Sequence, residues 1–316
     1  MSQLLDNAKK APTKSFQDAT PLLAHPDQLL AQADRDGYLF FKNVMPKDKI
    51  IELRKQFLTI LDRRNFLDKN RDLMDGIANI EEINTCTPEE FSIGGNGFPL
   101  DIYFEIQKLR LFQEMAHAPK LLDTLRVVFQ AEPFVHPKTI ARVVMPHRNA
   151  ATTPSHQDFI YIQGSSKFWT VWFPLGDCPR ELGGLTMLEG SHKSGIYDVT
   201  PKEGAGNFES ILCGLDYDWV AGDYELGDVV MFTSHTVHRA LPNQIKEKIR
   251  LSCDFRYQSV HEEIAEYTLA PHIPNSWEEI YAEWDEHDPL KYYWKNQDMQ
   301  LKDFNWSMIQ GKPKIC

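Results

Sequence analysis

From Thr139 onward the chain stops repeating its apolar residues at helical intervals. It breaks into short β-rich runs: Ile140 to Met145, Phe159 to Ile162, Phe168 to Leu175, Leu185 to Leu188, Val229 to Thr233 and Ile249 to Tyr257. Clusters of Gly, Pro, Asp and Ser part them, and many short strands so spaced bury their faces as a sandwich or a barrel. The first part of the chain reads differently. A short helix from Pro26 to Ala33 ends near Asp36-Gly37, where glycine takes the left-handed stop conformation, and Tyr38 to Val44 is a strand candidate. Beyond Pro46, the residues Ile50, Ile51, Leu53, Phe57, Leu58, Ile60 and Leu61 recur at helical spacing, and Tyr103 to Ala116 and Leu121 to Phe129 repeat the pattern. Helices first and strands later predict an α+β, mainly β, architecture with a helical layer packed on a barrel.

Four stretches follow from this. Residues 1–25 are polar and Pro-interrupted, expected to form a loosely held arm. The main domain covers 26–260, with the helical layer over 26–130 and the barrel over 131–260. Residues 261–316 return to helical signals, with Trp277, Ile280, Tyr281 and Trp284 at helical spacing, then Tyr292, Tyr293, Trp294, Phe304 and Trp306. That aromatic stripe reads as core or interface, with a lid or a dimer contact as the alternative. A chain of 316 residues, 42% hydrophobic, is long enough to bury a large core. Its formal net charge of −11 argues against a nucleic-acid-binding surface, which needs clustered Lys and Arg. Cys86, Cys178, Cys213, Cys253 and Cys316 are scattered without a Cys-x-x-Cys pair, so neither a disulfide framework nor a zinc knuckle is expected, and a reducing compartment is the simpler reading. No apolar run approaches the ~20 residues of a membrane span, and the N-terminus lacks a signal-peptide core. A cytoplasmic protein without membrane or nucleic-acid partners is the expectation; monomer and homodimer stay open.

The chemistry concentrates in a few positions. His156, Gln157 and Asp158 are followed 82 residues after the first histidine by His238, in the run His238-Arg239-Ala240-Leu241-Pro242-Asn243, and then by Arg250. Two imidazoles and a carboxylate can hold non-heme Fe(II) on one face and leave coordination sites open, and an arginine shortly afterwards suits a dicarboxylate co-substrate. In a strand, His156 and Asp158 would emerge on one side with Gln157 between them. His238 has rivals in His235 and in His192. In the strand that starts at Lys248, alternation puts Ile249, Leu251, Cys253 and Phe255 on one face and Lys248, Arg250, Ser252 and Asp254 on the other. Both Lys248 and Arg250 could thus look into the barrel. A guanidinium fork binds a carboxylate in bidentate fashion and stays charged when desolvated, which favours Arg250.

With these landmarks, the chain resembles the phytanoyl-CoA dioxygenase-like Fe(II)/2-oxoglutarate oxygenases. The resemblance also rests on Asp36-Gly37-Tyr38, on Leu182-Gly183-Gly184 leading to Gly190-Ser191-His192-Lys193, and on Gly227-Asp228-Val229-Val230-Met231-Phe232, so it spans roughly residues 30 to 260. It implies a double-stranded β-helix, a jelly-roll, cupin-like barrel, with His156, Asp158 and His238 as iron ligands. His238 lies in the family's distal-ligand run, whereas His235 precedes it. Arg250 falls about where the family places its 2-oxoglutarate arginine; Trp172 matches a tryptophan of the co-substrate pocket, and Gln157 and Ser252 are counted with it as co-substrate contacts. Ala240 stands where the family commonly has a serine. The retained carboxylate of Asp158 points to oxygenation, since related halogenating enzymes carry a small residue there. The implied reaction hydroxylates an unactivated C–H bond of a small organic substrate as 2-oxoglutarate and O2 become succinate and CO2. The alternative is a metal-binding barrel without 2-oxoglutarate turnover, hydrolytic or regulatory. The Gly-rich segment from Phe91 to Leu100 is a candidate substrate wall or a mere connector, and nothing selects the substrate.

Overall fold

The computed structural model describes residues 6–92, 98–146, 152–272, 275–314 and 316. Its strands in chain order are β1 (Tyr38–Phe41), β2 (Pro133–Val135), β3 (Ile140–Val144), β4 (Trp169–Pro174), β5 (Leu185–Leu188), β6 (Val199–Pro201), β7 (Phe208–Ser210), β8 (Trp219–Val220), β9 (Val229–Thr233), β10 (His238–Ala240), β11 (Arg250–Ser259), β12 (Ile264–Ala265) and β13 (Leu301–Lys302). The larger sheet runs β1-β9-β4-β11-β2, with β3 also paired to β11, and the smaller runs β10-β5-β8. Every pairing within these two sheets is antiparallel. Two-stranded sheets β6-β7 and β12-β13 complete the pairing, and among the described residues the two main sheets stay separate rather than closing into one barrel.

The layers follow from which side chains alternate to which face. On β11, Leu251, Cys253, Phe255 and Tyr257 point to the helices and join the main core, with Phe57, Leu61, Phe112 and Leu125 from the helical layer. The other face of the large sheet meets the small one: Tyr38, Phe40, Trp172, Val230 and Phe232 pack on Leu185, Met187 and Val220. Helices, large sheet and small sheet therefore form three layers. The Lys47–Arg63 helix buries Ile50, Leu53, Phe57, Leu58, Ile60 and Leu61 on one stripe. Ile51, counted in that stripe from spacing, faces solvent at 48% exposure. The first helix runs to Asp36 and stops at Gly37, whose φ of 80° and closeness to His192, 2.4 Å from where a Cβ would sit, exclude any larger residue.

Several sequence expectations change in three dimensions. Phe159–Ile162 is a single turn of helix, not a strand, with Asp158 at its N-terminal cap. The segment 103–116 breaks at Leu109, whose ψ of 113° divides it into Leu100–Lys108 and Arg110–Met115. Helix Trp277–Ile280 is only four residues long. The arm at the N-terminus is docked from Asp6 onward: Asn7 accepts from the Trp219 indole at 2.9 Å, and the guanidinium of Arg239 reaches the carbonyls of Ala8 and Lys10. Cys213 and Cys316, 103 residues apart, are joined in a disulfide, so the expectation of none fails; so large a separation leaves no local spacing to read. No helix among the described residues is long and apolar enough to cross a membrane.

A buried histidine, His136, and a half-buried one, His117, make stability depend on pH. Burial pushes the His136 imidazole down to about 3 and that of His117 to about 4, against an ordinary 6.5. The folded state thus keeps both neutral, while the unfolded chain takes up protons below about pH 6.5. Their contribution is full above that pH and is lost as pH falls through the window down to the folded values. Urea unfolding of the metal-free protein should lose about 1.4 kcal/mol per pH unit for each such histidine, and His136→Gln should remove one share of that slope. An unchanged slope in the variant would exclude His136 as a source.

Candidate metal centre and active site

His156, Asp158 and His238 reach one point from three different local structures. His156 and His238 are bridged backbone to backbone in both directions, at 2.9 and 3.0 Å, where β10 meets the segment before the Phe159–Ile162 turn. The chain then turns, and Phe159 N–H on Ser234 O at 3.0 Å holds that turn so that Asp158 points back to the histidines. The convergence thus comes from a bridge and a helical turn, not from the alternation of a strand. All three side chains are buried, and one ligand atom from each lies within 4.8 Å of the others. Asp158 Oδ1 is 3.5 Å from His156 Nε2 and 3.7 Å from His238 Nε2.

The surroundings prepare each group to bind a cation. His156 Nδ1 meets the carbonyl of Pro154 at 2.8 Å, and His238 Nδ1 that of Thr236 at 3.1 Å. A carbonyl only accepts, so each Nδ1 carries the proton and each Nε2 presents its lone pair to the centre. Burial, and then the neighbouring His156, push His238 down to about 3, which keeps it neutral. Burial would raise the Asp158 carboxyl, but the Arg256 guanidinium outweighs it and holds the carboxyl well below its usual range. Asp158 Oδ2 accepts from Thr170 Oγ1 at 2.5 Å and from Arg256 Nη2 at 3.1 Å, so only Oδ1 remains for a metal. Two imidazole Nε2 lone pairs and one carboxylate oxygen fit Fe(II) and leave the rest of its coordination shell open.

Arg250 is 3% exposed on the inward face of β11. Its Nη1 donates to Ser252 Oγ at 2.5 Å, its guanidinium carbon stands 5.7 Å from the centre of the Trp172 ring, and its Nε finds no partner. Among the described residues no carboxylate pairs with it, and burial lowers its pKa to about 10, so it stays charged. A buried cation with an unsatisfied donor is a preformed anion site. Trp172 and Ser252 therefore stand beside Arg250. Lys248 lies before β11 begins and is half-buried. Gln157, expected among co-substrate contacts, is placed elsewhere: its amide donates to the carbonyls of Gly195 and His235 at 2.7 and 2.6 Å and accepts from Tyr197 N–H at 2.8 Å, which uses it as a loop brace. His235 stacks on Phe159 and lines a separate surface cavity with His192. His235→Ala should accordingly keep appreciable iron-dependent activity, and an inactive, iron-free variant would mean that the wrong histidine carries the ligand role.

A cavity of about 350 Å³ opens in front of His156 and Asp158. Arg142, Arg256 and Lys138 supply its charge, while Ile140, Ile162, Phe304 and Trp306 supply its apolar wall. Sequence reasoning missed Arg256, although the alternation that displayed Arg250, Ser252 and Asp254 on one face continues to it. It also left Phe304 and Trp306 as core or interface. They reach the cavity because the buried Gln163 amide clamps Asn305 in both directions, at 3.0 and 2.7 Å. The Gly-rich segment 93–97 lies outside the described residues.

The Phytanoyl-CoA dioxygenase (PhyH) family matches residues 33–250. Among curated proteins, the chain is 26% identical over 256 residues to a 1-deoxypentalenic acid 11-beta-hydroxylase of Streptomyces arenae, covering 77% of this chain and 84% of that protein. A hydroxylase of the same name from Streptomyces exfoliatus is 24% identical over the same coverage. Among solved structures, the epimerase SnoN in complex with Fe3+, alpha ketoglutarate and nogalamycin RO superposes with a TM-score of 0.52 at 18% identity, covering 76% of this chain and 86% of that one. At that identity the likeness shows the fold alone. With the family matched over more than half of its length and the triad assembled, the chain belongs to the phytanoyl-CoA dioxygenase (PhyH) family and is an Fe(II)- and 2-oxoglutarate-dependent oxygenase.

Proposed function

We propose that this protein hydroxylates an unactivated C–H bond of a small organic substrate, with His156, Asp158 and His238 holding the iron and Arg250 holding the distal carboxylate of 2-oxoglutarate. The observation that carries the reading is Arg250: a buried guanidinium, with Nε unsatisfied, on the inward face of the strand whose Arg256 clamps the metal-binding carboxylate. A barrel that merely bound metal has no use for that second charge. Ser252 and Trp172 stand beside the guanidinium, and the two antiparallel sheets support a double-stranded β-helix as the framework of the site. Iron, when bound, supplies oxidation by O2 coupled to decarboxylation of 2-oxoglutarate to succinate. The chain orients the two ligating histidines through Pro154 and Thr236, keeps Asp158 ionised through Arg256, and shields the reacting groups with the apolar wall of Ile140, Ile162 and Phe304. The two Streptomyces relatives are named as hydroxylases of a small acid, which supports hydroxylation as the outcome. The test is succinate formation from 2-oxoglutarate under air. Iron-dependent succinate is expected; its absence with iron bound would leave a metal-binding barrel without turnover.

A further inference from the structure

We propose that Lys138 anchors a carboxylate of the substrate, so that this site takes apolar molecules carrying one carboxylate and holds them by that group in front of the triad. The inference rests on the oxygenase reading for what happens next, but its evidence lies in the cavity itself. Lys138 is 3% exposed and lines the same cavity as His156 and Asp158. The other charged groups there already have partners. Arg142 pairs with Asp254 at 3.1 Å, and Arg256 with Asp254 at 2.8 Å and Asp158 at 3.1 Å. His272, made neutral by burial and by nearby cations, is hydrogen-bonded to the Tyr103 hydroxyl at 2.7 Å.

Lys138 has no such partner among the described residues. Its ammonium has only the carbonyl of Pro271 at 3.4 Å and the face of Tyr267, 4.0 Å from the ring centre. Burial and repulsion from Arg256 push it down to about 7. A buried lysine that costs stability and faces a cavity is kept charged best by an anion arriving in that cavity. The remaining wall decides what the anion is attached to. Ile140, Ile162, Ile309 and Phe304 offer only apolar contact, and Tyr267, Phe304 and Trp306 pack ring against ring at 4.6 to 5.4 Å. One ammonium matches one carboxylate, and a cavity of about 350 Å³ with an apolar wall on one side matches a compact hydrocarbon body.

Calorimetry on the metal-free protein tests this without turnover. The probes are decanoic acid, adamantane-1-carboxylic acid and farnesoic acid, each against its own primary amide, which keeps the shape and removes the charge. At least one acid is expected to bind wild-type protein about 10- to 100-fold more tightly than its amide, the range of a charge-assisted hydrogen bond. Lys138→Met should abolish that preference and leave amide binding unchanged, Lys138→Arg should keep part of it, and Arg250→Ala should keep it whole. Equal binding of acid and amide to the wild type, or no binding of any acid, overturns the proposal even if the Met variant does not fold. A preference lost in Arg250→Ala and kept in Lys138→Met also overturns it, by placing the anion at Arg250. Because no iron or oxygen is present, failure of the succinate assay leaves this result standing and the reverse also holds.

Discussion

Arg250→Ala raises the apparent KM for 2-oxoglutarate by about two to almost four orders of magnitude, because deleting one partner of a buried ion pair costs on the order of 3–5 kcal/mol. In wild-type protein the guanidinium is buried beside Trp172, one nitrogen is tied to Ser252, and another is unsatisfied. Its desolvation is already part of the folded state, so an incoming carboxylate meets a preorganised fork rather than a hydrated cation. Lys248→Ala changes the same constant little, by at most about 1 kcal/mol, because Lys248 is half-buried in the turn before β11 and acts only through screened attraction. Iron binding survives in both variants. Steady-state kinetics with varied 2-oxoglutarate, beside an Fe(II) titration, separates the two positions. A large effect at Lys248 with a benign Arg250→Ala would show that the strand's register had been assigned the wrong cation.

His156→Ala, Asp158→Ala and His238→Ala should each reduce Fe(II)-dependent succinate formation to background. Iron affinity should fall further than the about 10- to 100-fold that losing an outer partner of a metal ligand costs. The fold should survive, and the structure says why for each. Beyond the triad itself, the histidine side chains among the described residues bond to the carbonyls of Pro154 and Thr236 within their own segments, while the bridge between His156 and His238 is made by backbone atoms. Removing the Asp158 carboxylate still leaves Arg256 paired with Asp254 at 2.8 Å. Far-ultraviolet circular dichroism should therefore match wild type while iron titration does not. A variant that keeps full activity would take its residue out of the triad.

The readable parts of this chain are those in which chemistry or periodicity is local. Residue types and order gave His156, Asp158 and a distal histidine, the family resemblance chose His238 over His235 and His192, and the alternation along β11 placed Arg250 and Ser252 on one face and Leu251, Cys253 and Phe255 on the other, as the structure has them. The strand runs at Leu185–Leu188 and Val229–Thr233 and the helical stripe through Phe57 and Leu61 were legible for the same reason. Phe159–Ile162 was not. Its β-rich composition is overridden by the turn that brings Asp158 back to the histidines, a tertiary requirement that propensity does not register.

What the sequence alone determined, then, is the residue types that can bind iron, and which face of β11 each of its side chains presents, because these depend on side-chain identity and on a two-residue repeat. The tertiary structure alone decided what those groups are paired with. Arg256 on Asp158, Gln157 spent on Gly195 and His235, Cys213 on Cys316, and Phe304 and Trp306 carried into the cavity by the Gln163 clamp all join positions far apart in the chain. Such pairings depend on how separate segments pack against one another, and no periodicity within any one segment carries that information.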